Sequence, residues 1–170
     1  MKICRLTFAA LAEQLEIVDS EEMRSYYGGY LTTNPDGPTD GYDCVYNSCA
    51  YVANYYGGGE YGYESGYWEG LYDSEYGNAN EGVDAATLYN FLSSHFVVQQ
   101  VDLSTLSGSL NVPIMCDYGT GSGVAHSVII QYVDQNSQLA YLYDPTSGGA
   151  SIKPLSEIAA DRVFRIDGML

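Results

Sequence analysis

The chain has 170 residues, enough for one domain with a single core, and 46% of them are apolar, which is typical of a globular protein. Its 22 acidic residues outnumber its 6 basic residues, so the formal charge is −16. A surface of this sign repels phosphate backbones and therefore argues against nucleic acid as a partner. The sequence contains no run of 18 apolar residues, so it predicts no membrane span.

Residues 1–29 form a segment of their own. Apolar side chains recur at helical spacing and a glycine pair closes the segment: Phe8, Leu11, Leu15, Val18 and then Gly28-Gly29. This pattern resembles the double-glycine leader of exported bacterial peptides, which the peptidase domain of an ABC transporter cuts after the second glycine. An ordinary N-terminal helix with a glycine C-cap is the alternative. Residues 30–42 are rich in turn-forming residues and predict a linker into a domain over 43–170.

Two helices are predicted in the first half of the domain. Asp43 is a good N-cap residue at the start of an apolar-periodic run, so we expect a helix from Cys44 to Tyr56. Asp84 is expected to cap a second helix, from Ala85 to Ser94. Between them, up to residue 81, tyrosine is interleaved with glycine, which predicts a loop. This loop either lines a cleft with its tyrosines or is a surface loop without a ligand.

The rest of the chain favours β-structure. Apolar and β-branched runs predict strands over 97–101, 112–117, 127–133, 139–143, from Ile152 and over 163–166, with helical turns over 103–106 and 155–160. The strands over 127–133 and 139–143 flank a turn sequence and form a predicted hairpin. Helices that precede antiparallel strands predict an α+β fold.

Cys44 is the candidate nucleophile. A thiol reacts as the thiolate, which is favoured at a helix N-terminus and beside an imidazolium. Cys44 lies in the first turn of a predicted helix, where unpaired backbone N–H groups can also stabilise an oxyanion. His126 begins the strongest predicted strand and is the preferred base, whereas His95 follows a helix C-terminus, where a protonated imidazole is favoured for structural reasons alone.

Asp144 is the candidate that orients the base. It ends the strand over 139–143, and the predicted hairpin returns the chain to the end at which His126 lies. Asp144 would then lie beside the imidazole and fix its tautomer.

These residues resemble the cysteine peptidases of the C39 type, which include the bacteriocin-processing domains of ABC exporters. The shared pattern is Asp43-Cys44 opening a helix, His126-Ser127-Val128-Ile129-Ile130 as a strand, and Asp144-Pro145. The intervals from Cys44 to His126 and from His126 to Asp144 are 82 and 18 residues. The resemblance covers about residues 40–168 and implies a papain-like fold in which N-terminal helices pack on a C-terminal antiparallel sheet.

The sequence departs from that family in two places near the nucleophile. The family has Gln six residues before the cysteine, where this chain has Pro38, and usually Gly after it, where this chain has Val45. Asn34 and Asp40 are the candidates to replace the Gln in the oxyanion hole.

The other cysteines leave one alternative open. Cys49 is an alternative nucleophile, because Ser48-Cys49 and the aromatic residue after Ala50 resemble papain itself. Cys116 on a core strand is expected to be buried and inert. The cysteine spacing predicts neither a disulfide framework nor a metal site, and the chemistry needs no cofactor.

The sequence thus predicts a cysteine peptidase with a Cys-His-Asp triad that acts on a peptide or protein. It is also predicted to be exported from a bacterium through an ABC exporter and to be cytoplasmic before its leader is removed. Two alternatives remain: an inactive exported effector or binding protein of the same fold, and a Cys-His-Asp acyl transferase or amidase.

Overall fold

The computed structural model describes residues 43–57, 64–77, 83–119 and 125–170. The leader and linker predictions, including Gly28, Gly29, Asn34 and Asp40, lie outside the described residues.

Three α-helices lie within the described ranges: α1 (Cys44–Tyr55), α2 (Ser65–Tyr76) and α3 (Ala85–His95). At α3 the predicted cap is confirmed, since Oδ1 of Asp84 accepts hydrogen bonds from the backbone N–H groups of the first turn. At α1 Asp43 occupies the predicted N-cap position, but its backbone is already helical and its side chain makes no capping hydrogen bond with the described residues.

Helix α2 replaces part of the predicted tyrosine-glycine loop, so that prediction is wrong for Ser65–Tyr76. Intrinsic propensity disfavours a helix that contains two glycines, but tertiary packing overrides it. Trp68 and Tyr72 are 1% and 5% exposed. Trp68 stacks on Phe96, and Tyr72 meets Phe91 of α3 edge-on. Burial of aromatic area therefore holds this helix in place.

Six strands form one antiparallel sheet in the order β1-β6-β2-β3-β4-β5. Their bounds are β1 Phe96–Gln100, β2 Gly108–Gly119, β3 Ala125–Asp134, β4 Leu139–Asp144, β5 Gly149–Pro154 and β6 Ile158–Met169. The predicted helical turns are 3-10 helices over Leu103–Thr105 and Leu155–Glu157, and β6 begins earlier and ends later than predicted. The helices pack on this sheet, so the predicted α+β class is confirmed.

The sheet has an apolar cluster on each face. Met115 and Ile129 pack with the three helices, while their strand neighbours Ile114 and Ile130 belong to a second cluster. This follows from the alternation of side chains along a strand. None of the helices in the described ranges is long and apolar enough to cross a membrane.

Candidate active site

The hairpin of β3 and β4 brings His126 and Asp144 together. The strands pair antiparallel across a turn, with Ile129 opposite Tyr143 and Ile130 opposite Leu142. His126 lies near the start of β3 and Asp144 ends β4, so both side chains lie at the same end of the hairpin. Nε2 of His126 is 3.1 Å from Oδ2 of Asp144.

The turn after β4 fixes the Asp144 carboxylate. Its Oδ1 accepts a hydrogen bond from the backbone N–H of Thr146 at 2.9 Å, and its Oδ2 accepts one from Oγ of Ser147 at 2.8 Å. The backbone carbonyl of Asp144 also accepts from the N–H of Gly148 at 2.8 Å. Both carboxylate oxygens are thereby held while Oδ2 still faces the imidazole.

Cys44 is the third member of this group. It begins α1, a helix that packs against β3, and its thiol hydrogen-bonds with the His126 side chain. The carboxylate and the thiol therefore engage the same imidazole, the carboxylate at Nε2.

The electrostatics of His126 favour the imidazolium. Its pKa is raised from 6.5 to about 10, first by the hydrogen bond with Asp144 and then by the one with Cys44, while burial lowers it. At Asp144 burial raises the pKa, but the hydrogen bonds from His126, Ser147 and Thr146 together lower it from 3.8 to about 2. The shift at His126 is the larger of the two: Cys44 adds to it, whereas burial is the largest single cause at Asp144 and opposes the lowering.

Tyr118 borders the site and was not singled out by the sequence. It lies opposite His126 in the pairing of β2 with β3, and the two rings meet edge-on with centroids 5.5 Å apart. Burial raises the pKa of its phenol, and the negative charges of Asp144 and Cys44 raise it further. On its other side, Nζ of Lys153 lies 4.8 Å from the centroid of the Tyr118 ring. Cross-strand pairing with the predicted histidine could have identified this residue.

Cys49, Cys116 and His95 lie apart from this group. Cys49 is fully buried, and burial raises the pKa of its thiol far above the usual range. Burial does the same to Cys116, with the charge of Asp117 adding to it. His95 instead pairs with Glu75 of α2 at 2.9 Å. The geometry thus favours Cys44 over the alternative nucleophile.

Four further polar residues were missed: Ser48, Asp117, Ser127 and Arg162. Three of them are buried: Ser48 on the helix of Cys44, Ser127 on the strand of His126, and Asp117 on the neighbouring β2. Their signal in the sequence is a polar residue at a position where strand alternation requires burial, as at Asp117 and Ser127.

Within the described ranges, no group of three or more His, Cys, Asp or Glu side chains is arranged to hold a metal ion. In comparisons with known proteins, no family model matches the chain, and no curated protein matches it in sequence. The functional argument therefore depends on the geometry of the site.

Proposed function

We propose that this chain is a cysteine peptidase of papain-like fold, in which Cys44 is the nucleophile, His126 the base and Asp144 the residue that orients it. The observation that carries the proposal is an unbroken series of contacts from thiol to imidazole to carboxylate, in which Nε2 of His126 is bound to Asp144. A nucleophile within reach of a base that a third group orients is the arrangement of nucleophilic acyl transfer.

The proposed reaction begins with the ion pair of thiolate and imidazolium. The raised pKa of His126 means that the ring holds a proton at neutral pH. The Cys44 sulfur attacks the carbonyl carbon of the scissile peptide bond, and the imidazolium gives its proton to the leaving amine. Water then attacks the thioester with His126 as base, which releases the acid and restores the pair of thiolate and imidazolium.

The N-terminus of α1 offers the oxyanion site. The first helical hydrogen bond there runs from the N–H of Asn47 to the carbonyl of Asp43, at 2.9 Å. The N–H groups of Cys44 and Val45 precede it and have no acceptor within the helix. The Asp43 side chain makes no capping hydrogen bond with the described residues, so a developing negative charge is the proposed acceptor for these two amides. They offer an oxyanion site without the Gln that Pro38 replaces.

Selective alkylation tests the proposal. Wild-type protein and the variants Cys44→Ala, Cys49→Ala and His126→Ala are treated with iodoacetamide at pH 6, and the modified residue is located by mass spectrometry. We expect rapid labelling at Cys44 in the wild type and in Cys49→Ala, and slow labelling in His126→Ala. A Cys44 no more reactive than free cysteine would contradict the proposal and favour a non-catalytic effector or binding protein.

Product analysis then separates hydrolysis from transfer. A peptide library is incubated with and without a primary amine at high concentration, and Cys44→Ala is the matched control. Free carboxyl termini as the main product support a peptidase. Amine adducts as the main product point instead to an acyl transferase.

Export through a double-glycine leader is a separate proposal, which depends on the sequence pattern of residues 1–29. The chain would then pass through an ABC exporter and lose residues 1–29 by cleavage after Gly29. Incubation of the intact chain alone, followed by mass spectrometry, tests self-processing at that position. Cleavage in the wild type and not in Cys44→Ala is the expected result, and an intact wild-type chain would contradict self-processing.

A further inference from the structure

A buried polar network ties the helix of the nucleophile to the strand of the base. Oγ of Ser48 in α1 donates to the backbone carbonyl of Ser127 in β3 at 3.3 Å. Oγ of Ser127 in turn donates to Oδ1 of Asp117 in β2. Ser48, Ser127 and Asp117 are 0%, 1% and 3% exposed, so solvent does not share these contacts.

Arg162 of β6 closes the network. Its Nη1 donates to Oδ2 of Asp117 at 2.6 Å, and its Nη2 donates to the carbonyl of Val83 at 2.9 Å. Val83 directly precedes the N-cap of α3, so one guanidinium joins β2, β6 and the start of that helix. Both oxygens of the buried Asp117 carboxylate therefore have donors.

The positions of the two serines relate the network to the site. Ser48 follows Cys44 by one helical turn and lies on the same face of α1. Ser127 directly follows His126 in β3. The hydrogen bond between these serines therefore lies one turn from the thiol and one residue from the imidazole.

A buried ion pair is a poor device for stability alone. Desolvation of the two charges offsets much of their attraction, and apolar residues of similar volume often pack at least as stably. A hydrogen-bonded network instead fixes direction and distance, because each donor must meet its acceptor in a narrow geometry. Here the network fixes the position of α1 on the sheet.

We infer that Ser48, Ser127, Asp117 and Arg162 form a positioning network that sets the separation of the Cys44 thiol from the His126 imidazole. This inference rests on the proposed function, since it concerns the same thiol and imidazole. Loss of a link lets α1 shift along the sheet, and the thiol then loses the cation that favours its ionised form. A misplacement of about 1 Å can cost an enzyme roughly 100-fold in rate.

The test is the pH dependence of iodoacetamide alkylation at Cys44. Ser48→Ala and Ser127→Ala each remove one hydroxyl, Ser127→Thr keeps it, and Val133→Ala is the control. Val133 is fully buried at the other end of β3 and is outside the network. Urea unfolding of every variant reports its stability.

We expect the two alanine variants to alkylate about tenfold or more slowly than wild type at pH 6, and near the wild-type rate above pH 9, where a free thiol with a pKa of about 8.5 ionises unaided. Ser127→Thr should restore the rate, and Val133→Ala should lose stability with an unchanged profile.

Two results overturn the inference, and they differ from one another. If wild-type Cys44 reacts quickly and both alanine variants keep its pH profile, the network is structural only and the proposed function stands. If wild-type Cys44 reacts no faster than free cysteine, the inference fails together with the proposed function. Ser48→Ala leaves the Asp117–Arg162 ion pair intact, so it gives a result even if Ser127→Ala does not fold.

Discussion

Replacement of Asp144 by asparagine removes the charge beside His126 and keeps the size of the side chain. Burial and hydrogen bonding together lower the pKa of Asp144 from 3.8 to about 2. Since one pKa unit corresponds to about 1.4 kcal/mol, we expect Asp144→Asn to lower the free energy of unfolding by about 2 kcal/mol at pH 6. Because the folded pKa lies below the unfolded one, this contribution is complete above pH 3.8 and is lost as the pH falls toward 2. At pH 3 the two proteins should differ by only about 1 kcal/mol.

Asp134 provides a matched control within the same hairpin. Its carboxylate accepts from the backbone N–H groups of Asn136 and Ser137 and from Oγ of Ser137, much as Asp144 accepts from its own turn. None of the hydrogen bonds at Asp134 involves a histidine. Asp134→Asn therefore removes equivalent turn contacts without an imidazole partner, and it should destabilise the protein less.

Urea unfolding at pH 6 and pH 3 measures the stability of both variants, and NMR titration of the imidazole follows His126. In Asp144→Asn the His126 pKa should fall from about 10 toward 6.5, because its largest cause is gone. Equal destabilisation by Asp144→Asn and Asp134→Asn at pH 6, with an unchanged His126 titration, would refute the reasoning.

Three further variants test other parts of the molecule. Cys44→Ala should lower the His126 pKa below about 10 in an NMR titration, because the thiol is its second cause; no change would show that the two side chains do not interact. Gln138 has φ of 57°, so Gln138→Gly should raise the free energy of unfolding in urea by about 1 kcal/mol; a loss would show that its side-chain contacts outweigh the strain. Phe91→Ala should lower that energy by about 3–5 kcal/mol and red-shift the fluorescence of the sole tryptophan, Trp68, whose ring it meets edge-on; an unshifted spectrum would contradict that packing.

The local patterns were sufficient to predict the hairpin and the His126–Asp144 pair. A β-branched run and an apolar and aromatic run around a turn sequence determine which residues face one another, because side chains alternate along a strand. The capping by Asp84 is also local, since its side chain accepts hydrogen bonds from the first turn of the helix that follows it. These features depend on residues within about twenty positions of one another, so local sequence patterns are enough to predict them.

Two features that depend on distant partners, helix α2 and the Asp117–Arg162 ion pair, were not predicted. Helix α2 forms although its glycines disfavour it, because Trp68 and Tyr72 are buried against other elements. The ion pair joins Asp117 of β2 to Arg162 of β6, and these two residues are 45 positions apart in the sequence. Neither contact produces a periodic pattern in the sequence, so each is visible only in the folded structure.

The parts of the site differ in how locally the chain assembles them. His126 and Asp144 belong to one hairpin and are 18 residues apart, whereas Cys44 comes from a helix 82 residues before His126. Closing the longer loop costs more chain entropy, and the hairpin does not depend on it for its own pairing. Partial detachment of α1 would therefore separate the thiol from the imidazole, while the strands of the sheet stay paired. The His126–Asp144 pair therefore needs only the β3–β4 hairpin, whereas contact between the thiol and the imidazole also needs α1 packed on β3.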